Sequence, residues 1–280
     1  MTLLLFPAYR AYQEARIAAN DAMMALLIGS RLGAHTLELN AGSPHLIPEI
    51  FPGVSGAARL NRTVADAQSL MRSSEKYLAY MAIPFVLSVH ATLLVAVIRM
   101  IRDDGKDHST DDPTRILLDE LHERIEALWP SSLPPEDLRL FHFSRYLRNR
   151  IIHFGGAAGS NLRTEYAGLG TLLREYWERL ADRPLPLVSS KEHLDLESGE
   201  LIAVLAITKH LADAVNSTVA QQLSRDYWAL VVARDYKQIA PTKFGDPTRR
   251  VRRLTGHGRQ FYGSLALTPE ELEAAAQLVK

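Results

Sequence analysis

Arg148, Asn149 and His153 fall inside one hexapeptide, Arg148-Asn149-Arg150-Ile151-Ile152-His153. Together they supply a permanent cation, an amide and a base that titrates near neutrality. That set suits the breaking of a phosphodiester. Cleaving RNA without a metal needs a base for the 2'-hydroxyl proton, an acid for the leaving 5'-oxygen and positive charge against the phosphorane. Histidine covers the first two needs and arginine the third. The same residues also have a purely structural reading, with Arg148 as a solvated helix charge and His153 as a cation favoured by the dipole at a helix C-terminus.

Spacing alone does not choose between these. With four to six intervening residues allowed, chance predicts roughly three Arg-to-His pairs in such a chain. Five occur: Arg148/His153, Arg102/His108, Arg115/His122, Arg250/His257 and Arg252/His257. Context selects among them. Asp103, Asp104 and Asp107 lie inside the Arg102/His108 pair, and Asp119 and Glu120 inside Arg115/His122, where they repel a phosphate. The pairs ending at His257 sit in an Arg- and Gly-containing segment that shows no periodic apolar face. Arg148/His153 is both electropositive and mounted on a regular element. Leu138, Phe141, Tyr146 or Leu147, and Ile151 or Ile152 recur at three and four residues and predict a helix from Glu136 to about Phe154, stopped by Gly155 and Gly156.

On those residues the chain resembles the HEPN superfamily, whose signature is Arg, a polar residue, a few more residues, then His; Arg148, Asn149 and His153 occupy those positions. The resemblance covers about 165 residues: an apolar helix upstream, the motif helix, a glycine loop and a closing helix near Gly199 to Leu223. It implies an all-α, HEPN-like helical bundle carrying an N-terminal helix and a C-terminal basic extension. It also implies a metal-independent endoribonuclease that acts as a homodimer on RNA, leaves 2',3'-cyclic phosphate ends, and serves as a toxin or antiviral defence effector under an inhibitory or activating protein partner. Arg148, Asn149 and His153 are then the catalytic residues, with Asn149 orienting His153 or the phosphate. The alternative within the same resemblance is a non-catalytic module that binds nucleic acid, nucleotide or a protein partner. Where HEPN toxins modified by a nucleotidyltransferase antitoxin carry a tyrosine two residues after the histidine, this chain has Gly155, so that mode of inhibition is not expected.

An ideal helix puts Asn149 and His153 on one face, extended by Arg145 and His142, and places Arg148 about 140° round from His153. One helix does not aim both at one phosphate. The resemblance implies that two motif helices meet across a two-fold axis, with His142, Arg145 and Arg150 as candidate substrate contacts and an outward salt bridge as the alternative for each arginine.

The elements that must position these groups are read from composition and pattern. The chain has 280 residues, 47% of them hydrophobic, and is long enough for a large core. It contains no cysteine, which removes disulfides, thiolate nucleophiles and Cys-ligated zinc and points to a reducing, cytoplasmic setting. The formal net charge is zero, so nucleic-acid contact must be local. Two basic clusters qualify: Arg139, Arg145, Arg148 and Arg150 on the motif helix, and Arg249, Arg250, Arg252, Arg253 and Arg259 with His257 near the C-terminus, the latter read equally as a solvated tail. The division expected is 1–58, an N-terminal helix and Pro/Gly-rich connection; 59–225, the helical domain; and 226–280, the basic extension ending in a short helix.

Further helices are expected at about Ala8–Leu32, with Ile17, Met24, Leu27 and Ile28 inward; from Arg59 to Arg102, kinked at Pro84; from Asp112-Pro113 to Trp129-Pro130; and at Arg163–Ala181. Leu185 to Leu196 could hold a short strand or two. Thr268-Pro269-Glu270-Glu271 is a capping box opening the last helix. Gly42 to Gly56 reads as a flap, and Asp103 to Asp112 as a solvated linker or a cover over a basic cluster.

The run Tyr77–Ile98 has 22 residues without Asp, Glu, Lys or Arg, the length of a membrane span. Pro84, Ser88, His90 and Thr92 within it favour a central core helix, and the Met1–Pro7 start lacks the features of a secretion signal. Other chemistries are excluded by missing parts. Gly155 to Ser160 lacks the lysine of a P-loop, and Gly53-Val54-Ser55-Gly56 misses a nucleophile elbow by one residue. His122-Glu123 with Glu126 is one histidine short of a zincin pair and reads as a solvated helix face. The remaining histidines are scattered, so neither a structural metal nor a cofactor is expected.

Overall fold

The computed structural model describes residues 3–130, 132–185 and 194–279. Among them no strand forms, and one isolated bridge joins Leu46 to Thr63. The fold is all-α. Its longer helices are α1 (Pro7–Glu38), α2 (Val64–Asp103), α3 (Glu120–Leu128), α4 (Pro135–Phe154), α5 (Ser160–Gly168), α6 (Thr171–Ala181), α7 (Ser198–Gln222), α8 (Arg225–Ile239), α9 (Pro247–Tyr262) and α10 (Pro269–Leu278). Two compact units result: Met1–Arg16, Ser88–Arg139 and Ile207–Lys280 form one, and Ile17–Leu87 with Leu140–Ala206 the other. The strands considered for Leu185 to Leu196 fall largely outside the described residues.

Several boundaries differ from the pattern for local reasons. Asp112-Pro113 opens a single 3-10 turn, Pro113–Arg115, in which Asp112 Oδ1 accepts from the Thr114 amide at 3.0 Å; α3 starts only at Glu120. The helix expected over Arg163–Ala181 breaks where Gly170 takes an extended conformation as the N-cap of α6. Pro84 lies inside α2 without ending it, and this is the one helix among the described residues long and apolar enough to cross a membrane, half of its most apolar window being buried. The capping box at Thr268 forms as read, with Thr268 Oγ1 accepting from the Glu271 amide.

In the second unit the Gly42–Gly56 connection is no free flap. Ile47, Ala57, Leu37, Val64 and Ala67 bury together, with Phe51, Leu60 and Met71 against them, around a cavity of about 360 Å³. Along α1, Leu27 is buried as expected, but Ile17 and Ile28 face outward at 51% and 56% exposure. The inward stripe instead runs through Ala19, Leu27, Ala34 and Leu37, because small residues let α1 lie close to α2, where Gly33 approaches Met71 and the Gln68 amide reaches the Ala34 carbonyl.

The first unit is built around buried polar groups that satisfy one another. Asn216 and Leu4 exchange two hydrogen bonds, 2.9 and 2.7 Å. His122, expected on a solvated face, is fully buried with its Nε2 2.9 Å from that of His90; one imidazole donates to the other's lone pair. Burial pushes the His90 pKa down to about 3. The acidic stretch is folded in: Asp107 pairs with Arg102 and Arg124, and Asp104 receives the amide of Ser224. The C-terminal basic segment is a regular helix with Leu254, His257 and Tyr262 inward. Its anchor is Asp235 of α8, which is 2% exposed and accepts from both guanidinium ends of Arg10 (2.7 and 3.0 Å), from His257 Nε2 (2.9 Å) and from the Tyr262 hydroxyl (2.8 Å). A flexible tail is thereby excluded. Burial alone raises the Asp235 pKa, and the bonds from His257, Arg10 and Tyr262 outweigh it, leaving the carboxyl at about 2.

Both shifts make the folded state lose stability in acid. Between pH 6.5 and about 3 the unfolded chain protonates His90 and the folded one does not, so stability falls as pH drops through that window; Asp235 adds a loss from about 3.8 down to about 2. Replacing Asp235 by Asn strands Arg10 without its carboxylate and is expected to cost about 3 kcal/mol at pH 7. Urea unfolding across pH 2–7 measures both effects, and the variant should lose the lower part of the acid dependence.

Candidate functional site

Helix α4 carries every residue singled out by the motif. Its inward face, Leu140, Phe141, Phe143, Ser144 and Leu147, is completely buried in the second unit. Phe143 meets Trp177 of α6 edge-on at 5.9 Å, and the Ser144 hydroxyl donates to the Leu140 carbonyl, 2.9 Å away. The burial of this face and the Phe143–Trp177 contact fix the rotation of α4 about its axis. His142, Arg145 and Asn149 consequently lie half-buried along one flank, and His153 is exposed at its end.

Arg148 and Asn149 are joined directly: Arg148 Nη1 donates to Asn149 Oδ1 at 3.0 Å. Asn149 thus holds the guanidinium, not His153. Among the described residues no hydrogen bond or ion pair engages His153; its ring neighbour is Phe154, edge-on at 6.4 Å. An accessible imidazole and a tethered guanidinium therefore stand on one helix about 140° apart. Arg145 stacks over Tyr146 at 4.9 Å. Arg150, read as a phosphate contact, instead closes the glycine loop: its Nε donates to the Ala157 carbonyl at 2.5 Å and its guanidinium lies 3.7 Å from the centre of the Phe154 ring.

The stop after His153 is a clamp. Gly155 and Gly156 both adopt left-handed backbone, φ +59° and +84°, which costs residues with a Cβ energy. The turn lets the Gly156 amide donate to the Arg150 carbonyl at 2.9 Å. The Gly156 carbonyl then accepts from the Leu194 amide at 2.8 Å, and the Tyr80 hydroxyl donates to the Leu194 carbonyl at 2.8 Å. A Cβ on Gly156 would fall 2.2 Å from the Tyr80 oxygen, whereas one on Gly155 meets nothing within 4 Å among the described residues. Sequence reading found the glycines but not Tyr80 or Leu194, which lie far along the chain and carry no motif. No group of three or more His, Cys, Asp or Glu that could hold a metal occurs among the described residues. Comparison with models of protein families, with curated proteins and with solved structures finds no match to this chain.

The two glycines are expected to respond unequally to alanine. Gly155→Ala meets only backbone strain, about 1 kcal/mol; Gly156→Ala adds the collision with Tyr80 and is expected to cost about 3 kcal/mol. Thermal melts of both variants, of Tyr80→Ala, and of each glycine variant combined with Tyr80→Ala check this: against the Tyr80→Ala reference, the Gly156→Ala loss should shrink and the Gly155→Ala loss should not.

Proposed function

We propose that this chain is an HEPN-type endoribonuclease that cuts RNA without a metal and works as a homodimer. The observation that carries the reading is the accessible His153 imidazole at the clamped end of a helix whose neighbouring turn presents Arg148 bonded to Asn149. Two copies related by a two-fold axis overcome the 140° separation, since the arginine of one can face the histidine of the other. In that cleft one His153 takes the 2'-hydroxyl proton and the 2'-oxygen attacks phosphorus. Arg148 neutralises the non-bridging oxygens, and the second His153 or a water protonates the departing 5'-oxygen. The products carry a 2',3'-cyclic phosphate and a 5'-hydroxyl. His142 and Arg145 extend the same flank toward the substrate backbone. A growth-arresting toxin or antiviral effector in the cytoplasm, restrained or triggered by a protein partner, fits such an activity.

A second reading rests on the Arg148–Asn149 bond. A guanidinium already bonded inside its own protomer suits a non-catalytic module that presents α4 to nucleic acid, nucleotide or a protein partner.

Labelled RNA incubated with the protein in EDTA separates the two. Wild type should yield cyclic-phosphate ends, and His153→Ala and Arg148→Ala should each cut at least about 100-fold more slowly. If all three leave the RNA equally intact, the enzyme reading fails, and fluorescence anisotropy of the same RNA with wild type and Arg148→Ala then tests the binding module.

A further inference from the structure

Helix α9 is built from 16 residues that include five arginines and no carboxylate, in a chain whose formal net charge is zero. Its two sides differ. Leu254, His257, Gly258 and Tyr262 are buried within the first unit, whereas Arg249, Arg252, Arg253, Gly256, Arg259 and Gln260 share an arc of about 120° centred nearly opposite them. Arg253 is half-buried and the other five are exposed. The Arg249 side chain is 72% exposed and lies 3.9 Å from Asp246 at the helix start. Among the described residues no carboxylate pairs with Arg252 or Arg259. Arg250, about 100° round from Arg249, is instead bonded to Glu273 of α10. The fold neutralises the cation on the α10 flank and leaves the outward stripe to solvent.

Two further features lie on this face or beside it. Gly256 stands at the middle of the stripe, inside a helix where glycine weakens the backbone, and nothing among the described residues lies within 4 Å of the position its Cβ would take. Packing therefore does not require it, but a ligand that approaches the helix backbone closely would. Next to Arg259 a cleft of about 410 Å³ is lined by Ala266, Leu267, Pro269 and Leu272 together with Thr255 and Arg259. Glu271, in the turn that borders this cleft, is neutralised by Arg225. We propose that this side of α9 is a docking surface for single-stranded nucleic acid. Arg249, Arg252 and Arg259 neutralise phosphates along about 15 Å of helix, the strand passes over Gly256, and one unstacked base enters the cleft beside the Arg259 guanidinium.

The alternatives for an arginine stripe are a lipid surface and an acidic protein. An interfacial helix turns its apolar side to the lipid, and the apolar side of α9 is already used inside the unit. A protein partner needs an aromatic or aliphatic anchor, and no such side chain projects from this face. A row of phosphates needs neither. The surface belongs to the first unit and the motif to the second, so the proposal stands whether or not the chain cuts RNA.

Fluorescence anisotropy of the full-length protein with a labelled 2'-O-methyl RNA strand keeps docking apart from cleavage, because that strand has no free 2'-hydroxyl to attack phosphorus. With three phosphates neutralised, log K should fall against log salt with a slope of about −2 or steeper. Arg252→Gln and Arg259→Gln should each weaken binding at least about threefold and flatten the slope by about 0.7, with unchanged thermal melts. Arg250→Gln makes the same change in net charge on the α10 flank and should leave affinity and slope as in wild type. Gly256→Leu should melt higher, leucine being the better helix former, yet bind more weakly. An abasic strand of the same length should bind at least about threefold more weakly than the RNA, through loss of the base in the cleft. Equal losses at positions 250, 252 and 259, or an abasic strand held as tightly as the RNA, overturn the proposal. So does a protein that leaves the strand free and floats with phosphatidylcholine/phosphatidylglycerol vesicles, since the stripe then serves a lipid surface.

Discussion

The Tyr80 hydroxyl occupies the space that any side chain at position 156 would need, and that close approach locks the turn that ends the motif helix. Left-handed backbone at Gly155 and Gly156 reverses the chain directly after the helix. The turn gives the Gly156 amide and carbonyl their partners in Arg150 and Leu194. Arg150 is drawn into the same closure by its bonds to Ala157 and Phe154. His153 is left as the last ionisable side chain on the helix, held on a rigid backbone yet open to solvent. A reactive side chain is most precise when its supporting contacts are fixed and its own ring is unencumbered, and this arrangement meets both conditions.

The first unit solves a different problem, the burial of charge. A lone carboxylate at 2% exposure would be costly, but Asp235 collects donors from a guanidinium, an imidazole and a phenol. Those donors come from α1 and from α9, so one acceptor on α8 ties three helices together. The His90–His122 contact does the same for α2 and α3. Buried polar groups of this kind are tolerable when every member has a partner, and they specify one packing over others because a shifted register would leave one unmet.

This contrast explains what was legible in the sequence. The helices with strong punctuation were readable: α4 between Pro135 and its glycine pair, α7 after Ser198, α10 behind its capping box. Breaks were missed where one residue decides between helix and turn, as at Gly170, and at Asp112-Pro113, where the side chain caps a 3-10 turn instead of a helix. Histidines were the least readable. His122 and His257 belong to patterns that look solvated or irregular, and their burial depends on partners dozens of residues away, His90 and Asp235. Spacing within a segment carries no information about such pairs. At the candidate site the residue types and the helix were legible. That Asn149 holds Arg148 and that Arg150 serves the loop could be seen only once side-chain directions were fixed.

The periodicity of α1 marks it as amphipathic and assigns Ile17 and Ile28 inward, whereas the fold leaves both exposed. A helix with large apolar residues on two faces offers the fold a choice. Here the face with alanines at the contact turned inward, since small side chains permit closer approach to α2. The bulkier side chains were left outside, on the unit that also carries α4.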